Sequence, residues 1–242
     1  MFGYLPDPED PRDLPFDSLS AQRVPREVSL EERCVPIPNQ FGTSSCVGQA
    51  TRQGFGTEEA RHGGADPASA MGIYFNARAE HGVEGVDAGT NVRAAIKSLT
   101  KFGPLRERDW PFDEAKINKR PSWRAYRNAH DGKGPQGYYR IWEIGESRLN
   151  AIRGALAAEH PVVFGTDVAE SFTADSGDFR IDRPDSSEPI AGGHAMCLVG
   201  YKEDMFRVAN SWGTGWRDGG FAWLTESYMS WVKTRDLWVI VV

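Results

Sequence analysis

The sequence predicts an α+β protein, with a helical lobe leaning on an antiparallel sheet lobe and ligands expected where the two meet. Two observations predict it. Apolar residues recur at helical spacing through the first part of the chain, and short apolar runs of strand character follow from Pro161 onward. The length, 242 residues, suffices for one large domain or two closely packed lobes around a sizeable core.

The elements follow in order. Residues 1–27 carry five prolines and many charges, which predicts an extended N-terminal arm. A first helix is expected from Cys46 to about Arg61. A second covers Pro67 to Glu80, with Asp66 as N-cap and proline in the first turn. Thr90 is the expected N-cap of a third, in which Val92, Ile96 and Leu99 share a face and Gly103 supplies the stop. A fourth starts near Ser147, with Leu149, Ile152 and Leu156 on one stripe and Pro161 beyond its end. Strands are expected over Pro161–Val168, His194–Tyr201, Met205–Asn210, Gly220–Leu224 and Leu237–Val242. The domain proper is placed at 28–242, its helical lobe mainly 28–105 and its sheet lobe mainly 106–242.

Composition excludes several classes. Hydrophobic residues make up 40% and charged residues 26%, as in ordinary globular proteins. The net charge of -6 gives no general attraction to nucleic acid or anionic membranes. No apolar run reaches the roughly 18 residues of a membrane span. The acidic, proline-rich start is not a secretory signal, so a cytoplasmic setting, or delivery without a cleavable signal, is expected. Cys34, Cys46 and Cys197 are too few and too scattered for a disulfide framework or a paired-cysteine zinc site. His62, His81, His130 and His160 show no HxxxH spacing and read as surface residues.

Three segments carry candidate chemistry. Asn39-Gln40-Phe-Gly-Thr-Ser-Ser-Cys46 is a polar turn leading into a helix, and a cysteine at a helix N-terminus sees a field that favours thiolate. In Gly192-Gly193-His194, a histidine opens an apolar strand behind two small residues. Cys197, three places further along, points to the opposite face and reads as core. Asn210-Ser-Trp-Gly-Thr-Gly-Trp216 ends a strand. There Asn210 could accept from one ring nitrogen of His194, leaving the other to face a thiol, while Trp212 covers the bond.

Together these segments resemble the papain-like cysteine peptidases. Gln40 precedes Cys46 by six residues, His194 follows it by 148, within the family's range of about 130–150, and Asn210 comes sixteen later. The resemblance runs from about Val28 to the C-terminus and implies the two-lobed papain-like fold with its active site in the cleft. It implies a polypeptide substrate, Cys46 as nucleophile in a thiolate–imidazolium pair with His194, Asn210 orienting the histidine, and Gln40 in the oxyanion hole. No metal or organic cofactor is implied. Ala88 and Gly89 would fall near the glycine pair that binds substrate backbone, though Ala88 fits it imperfectly. Gly165, Gly192 and Ala195 would fall near a side-chain pocket that their small size makes roomy and apolar, with Gly193 beside it. Thr43 and Val47 replace a cysteine and an aromatic of the plant and lysosomal members, and the Gly3–Asp13 string looks closer to bacterial or phage members. No long inhibitory pro-region is expected, and residues 1–27 are expected as a strap on the back of the domain rather than across the cleft. The same four residues would also serve a transpeptidase or isopeptidase. A different class, an interaction module reusing the scaffold with the acidic loop Asp175–Pro189 as docking surface, is the other reading.

Overall fold

The computed structural model describes residues 2–16, 24–64, 66–130, 133–173 and 177–242, so residues 17–23 of the expected arm lie outside the described residues, as does the start of the 175–189 loop. The helices of the first half are α1 (Cys46–Arg61), α2 (Ala70–Ala79), α3 (Val92–Phe102) and α4 (Trp123–His130); α5 (Gly145–Ala157), α6 (Glu170–Thr173) and α7 (Glu226–Met229) lie among the strands. The strands are β1 (Glu27–Ser29), β2 (Gly137–Ile141), β3 (Val162–Ala169), β4 (Arg180–Ile181), β5 (Ile190–Lys202), β6 (Met205–Ala209), β7 (Phe221–Thr225) and β8 (Thr234–Val241). They form one sheet in the order β2-β8-β3-β5-β6-β7-β4, with β1 pairing on β5. All pairings are antiparallel except β4 with β7.

Helix α1 has the predicted limits and runs through the middle of the molecule, buried from Cys46 to Glu58. Its Gly54 faces Val163 of β3 and Cys197 of β5, where a larger residue would overlap Val163, so the helix lies close on the sheet. Cys197 is fully buried there.

Helix α2 starts at Ala70 instead of Pro67. The backbone of 67–69 is extended, pairing Ala68 with Arg106 and Ser69 N–H with the Leu105 carbonyl, and the Ser69 hydroxyl caps Gly72 N–H at 3.0 Å. In α3 the cap is Asn91, not Thr90: its Oδ1 accepts from Ala94 N–H at 2.9 Å. Thr90 is instead engaged by the N-terminal arm, described below. Gly103, at φ +72°, closes α3 as expected. Helix α5 begins two residues before Ser147, at Gly145. Helix α4 and strands β1 and β2 have no counterpart in the sequence-based expectation: α4 is short and polar, turning Ala125, Ala129 and part of Tyr126 to the core, and β2 is half-buried along most of its length.

The segment after residue 105 does not pass straight to the sheet. Ile117 packs with Met71 and Tyr74, and Ala125 and Ala129 pack with Leu105, so residues 106–130 complete the helical side. Conversely, β1 near the chain start joins the sheet side.

Candidate active site

Cys46 is the first residue of α1, where Ser45 provides no side-chain cap and the helix dipole faces the thiol. The preceding turn is tied by Thr43, whose hydroxyl donates to the Gln40 carbonyl at 2.7 Å and meets Ser45 Oγ at 2.8 Å. Thr43 thus holds by hydrogen bonds a turn that in plant and lysosomal relatives carries a cysteine. The Asn210–Trp216 string docks on the same turn: Gln40 N–H donates to the Ser211 carbonyl at 2.8 Å, and Asn39 bridges Trp212. Ser211 Oγ donates to Gln40 Oε1 at 2.6 Å, which orients the amide and makes Nε2 its donor end.

His194 and Asn210 come together on β5 and at the end of β6. The ring Nε2 lies 2.7 Å from Asn210 Oδ1, an acceptor, so Nε2 carries the hydrogen and Nδ1 is the basic nitrogen of the neutral ring. Among the described residues, Nδ1 has no hydrogen-bond partner. Trp212 leans on the ring with centroids 4.9 Å apart, and Phe172 and Trp216 complete an aromatic wall behind it.

The N-terminal arm does not stay on the back of the domain. Phe2 to Leu5 lie in the cleft, bonded on both sides: Tyr4 N–H donates to the Gly193 carbonyl at 3.0 Å, Thr90 N–H to the Gly3 carbonyl at 2.9 Å, and Leu5 N–H to the Thr90 carbonyl at 2.9 Å. Phe2 meets His194 and Trp212 edge-on, at 6.1 and 6.3 Å between centroids. Gly89 (φ +78°), Gly192 and Gly165 admit the arm; a side chain there would overlap the Gly3 carbonyl, Phe2 and the Tyr4 ring respectively. Ala88 is exposed and Thr90 takes its place beside Gly89. Only beyond the cleft does the arm become a strap: Asp13 pairs with Arg93 and Arg140, and Phe16 N–H donates to the Arg140 carbonyl at 2.7 Å. Prolines set the extended path, but the glycines of the cleft decide where its first residues go.

The fold agrees with known proteins. The papain family cysteine protease profile matches residues 78–237, well over half of the chain. The chain belongs to the papain family of cysteine proteases. It is 28% identical to an uncharacterized peptidase C1-like protein of Acanthamoeba polyphaga mimivirus, over 99% of this chain and 86% of that one. Xylellain, a cysteine protease from Xylella fastidiosa, shares 28% identity and superposes with a TM-score of 0.90, covering 100% of this chain and 96% of xylellain. The proform of a cathepsin B from Trypanosoma congolense, 15% identical, shares the fold with a TM-score of 0.78, covering 99% of this chain and 85% of that one. This chain is therefore a cysteine-type peptidase with the two-lobed papain-like α+β fold. No helix among the described residues is long and apolar enough to cross a membrane.

In this protease Cys46 and His194 are both fully buried beneath the arm. Burial pushes the Cys46 thiol up to about 11, against the pull of the N–H groups of Ala195, Gly3 and Val47 that face its sulfur. Burial also pushes His194 down to about 4, against the bond to Asn210. Near pH 7 the closed site therefore holds a neutral thiol and a neutral imidazole. Burial beneath Phe2 and Tyr4 thus disfavours both charges in this closed state.

Asp7, where the arm leaves the cleft, links its seating to pH. Burial and the charge of Asp236 raise its carboxyl to about 6, against the Arg93 N–H and Trp238 Nε1–H that donate to it. A raised carboxyl means that the seated arm binds the proton more tightly than the released arm, whose Asp7 titrates near 4. That contribution to seating is complete below about pH 4 and is lost as pH rises to about 6. Amide exchange at Thr90, corrected for its intrinsic rate, should lose protection across this window in the wild type and stay flat in Asp7→Asn. Parallel profiles would sink the linkage.

The sequence did not point to three residues that hold the cleft walls. Asp87 accepts Ser44 N–H at 3.0 Å and the Tyr74 hydroxyl at 2.6 Å, and Tyr74 Oη accepts Gly89 N–H at 2.9 Å, so one cluster fixes the turn before Cys46 and the wall facing the arm. Arg78, fully buried, staples this wall by donating to the carbonyls of Val86 and Ile117 and to Asn118 Oδ1. An aspartate in a glycine-rich loop and an arginine late in a helix carry no local signal for such roles. Arg78→Met should strand these acceptors and cost about 3 kcal/mol, a Tm drop of roughly 6–12 °C by calorimetry.

Proposed function

We propose that Cys46 is the nucleophile, His194 its base and Asn210 the residue that orients the histidine, in a peptidase acting through a covalent thioester. The observation that carries this reading is the 2.7 Å contact of His194 Nε2 with Asn210 Oδ1, which leaves Nδ1 as the nitrogen able to take the thiol proton. Once the arm leaves the cleft, solvent lowers the cost of charge and the thiolate forms at the N-terminus of α1. The thiolate attacks a peptide carbonyl carbon, and the oxyanion is held by Cys46 N–H and Gln40 Nε2. His194 gives its proton to the leaving amine as the C–N bond breaks. It then takes a proton from water, which cleaves the thioester C–S bond and restores the thiol. Trp212 shields the His194–Asn210 bond from water. No step calls on a metal or organic cofactor.

Intact-protein mass after treatment with an epoxysuccinyl peptide, a probe of activated thiolates, tests the assignment. One adduct is expected on a variant with an opened cleft, and none when Cys46→Ala is added; an adduct that survives Cys46→Ala would move the nucleophile elsewhere. Asn210→Ala in the opened variant should cost about tenfold or more in kcat by loosening the imidazole, with KM little changed. One observation favours a second reading, a module that works by binding: in the closed chain both reacting side chains are inaccessible. That reading requires that opening the cleft yield no adduct and no hydrolysis. Product masses then separate hydrolysis from transfer to an amine.

A further inference from the structure

The side chain of Tyr4 fills a pocket whose walls come from three neighbouring strands. Gly165 of β3 lies against the ring, Gly193 of β5 contacts it from beside His194, and Asp236 of β8 closes the far end. Asp236 Oδ2 accepts the Tyr4 hydroxyl at 2.5 Å and Asp7 N–H at 2.7 Å, while Oδ1 is held by Arg140 Nη2 at 2.5 Å. The carboxylate is placed deliberately. Asp236 is buried with φ at +52°, a conformation costly for a non-glycine residue, and the β3–β8 pairing shifts register between Val163 and Gly165. The left-handed backbone and the register shift turn the Asp236 carboxylate to the end of the Tyr4 ring, where it meets the hydroxyl.

The pocket adjoins the reacting groups. Gly193 precedes His194, and Gly165 pairs with Ala195, whose N–H faces the Cys46 sulfur. The arm itself is a poor substrate: it turns the Gly3 N–H toward the sulfur, and its Gly3 carbonyl is taken by Thr90 N–H. When the arm withdraws, a buried carboxylate oxygen is left needing a donor at the depth of a phenol. We infer that this pocket selects tyrosine over phenylalanine in the polypeptide substrate, with Asp236 as the acceptor of the hydroxyl, an inference that rests on the peptidase reading above. The pocket expected to be roomy and apolar carries a carboxylate at its far end. A lysine or arginine would meet Arg140 and Arg235 beside the same carboxylate, whereas a neutral hydroxyl adds a donor without charge.

Two measurements test this on the full chain. In the intact protein, Tyr4→Phe should speed Thr90 amide exchange about tenfold; unchanged exchange would mean the hydroxyl is not recognised, whatever the chemistry of Cys46. In a full-length Phe2→Gly/Tyr4→Gly variant, an epoxysuccinyl peptide bearing tyrosine should alkylate Cys46 about tenfold faster than its phenylalanine twin. Asp236→Asn should bring the pair within about twofold. Gly165→Ala, which leaves the Asp236–Arg140 pair intact, should slow both probes by filling the space of the ring. Equal rates for the two probes on the opened variant overturn the inference and leave the pocket an anchor for the arm alone. Alkylation by neither probe, with exchange still sensitive to Tyr4→Phe, overturns the peptidase reading and with it any substrate for the pocket.

Discussion

Replacing Phe2 and Tyr4 by glycine is expected to raise the rate at which an epoxysuccinyl peptide alkylates Cys46 by at least about a hundredfold. The two side chains bury most of their apolar surface in the cleft, which stabilises the closed state by roughly 1.5–3 kcal/mol each. Their loss shifts the population toward the open form by the corresponding factor, and an open-state reagent reacts in proportion to that population. Tyr4 also loses its bond to Asp236. The strap beyond the cleft, anchored by Asp13 on Arg93 and Arg140, remains, so the domain should keep its Tm to within a few degrees. The measurement is the second-order labelling rate by intact mass, with a calorimetric scan beside it. A rate unchanged by the double substitution, in a folded protein, would mean that the arm does not gate the thiol.

The second large effect concerns Gln40. In the opened variant, Gln40→Ala should lower kcat about 10²–10³-fold while the alkylation rate falls far less. The reasoning is electrostatic: one preorganised donor to a developing oxyanion contributes at that scale, and only when a carbonyl becomes tetrahedral. Epoxide opening builds no such oxyanion in the hole. Gln40 is fully buried and its amide is fixed at both ends, Oε1 accepting from Ser211 Oγ at 2.6 Å and Nε2 donating to the Thr43 carbonyl at 2.8 Å, so under the proposed reading the second Nε2 hydrogen is the one offered to the oxyanion. Ser211→Ala should therefore give a smaller loss of the same kind, through the freed amide. Equal losses of kcat and alkylation in Gln40→Ala would indicate that the residue merely supports the turn carrying Cys46.

The candidate site was legible as a proposal because its residues lie in short local strings. Cys46 opens its helix and α1, β3, β6 and β7 fall close to the expected limits, whereas β5 begins at Ile190, four residues before the expected start at His194, because Ile190–Gly193 pair with the end of β3. Edges were less legible. Ser69 and Asn91 displaced Asp66 and Thr90 as caps because the backbone of 67–69 pairs with 105–107 and Thr90 with the arm. Those partners are distant in the chain, and a propensity argument cannot see them. Strand β2 was missed for a similar reason: its place is made by β8, nearly a hundred residues later.

By itself, then, the sequence determined the fold class and the family, and it named candidate reactive residues, since these depend on periodicity and on short local strings. Tertiary structure alone decided the state of those side chains. Whether Cys46 and His194 are charged depends on water, and water is excluded by Phe2 and Tyr4, which reach the cleft from the other end of the chain. Whether the pocket is apolar depends on Asp236, which lies beside Gly165 only because β8 pairs with β3. Solvation and contact between distant segments are properties of the packed chain, and no local pattern encodes them.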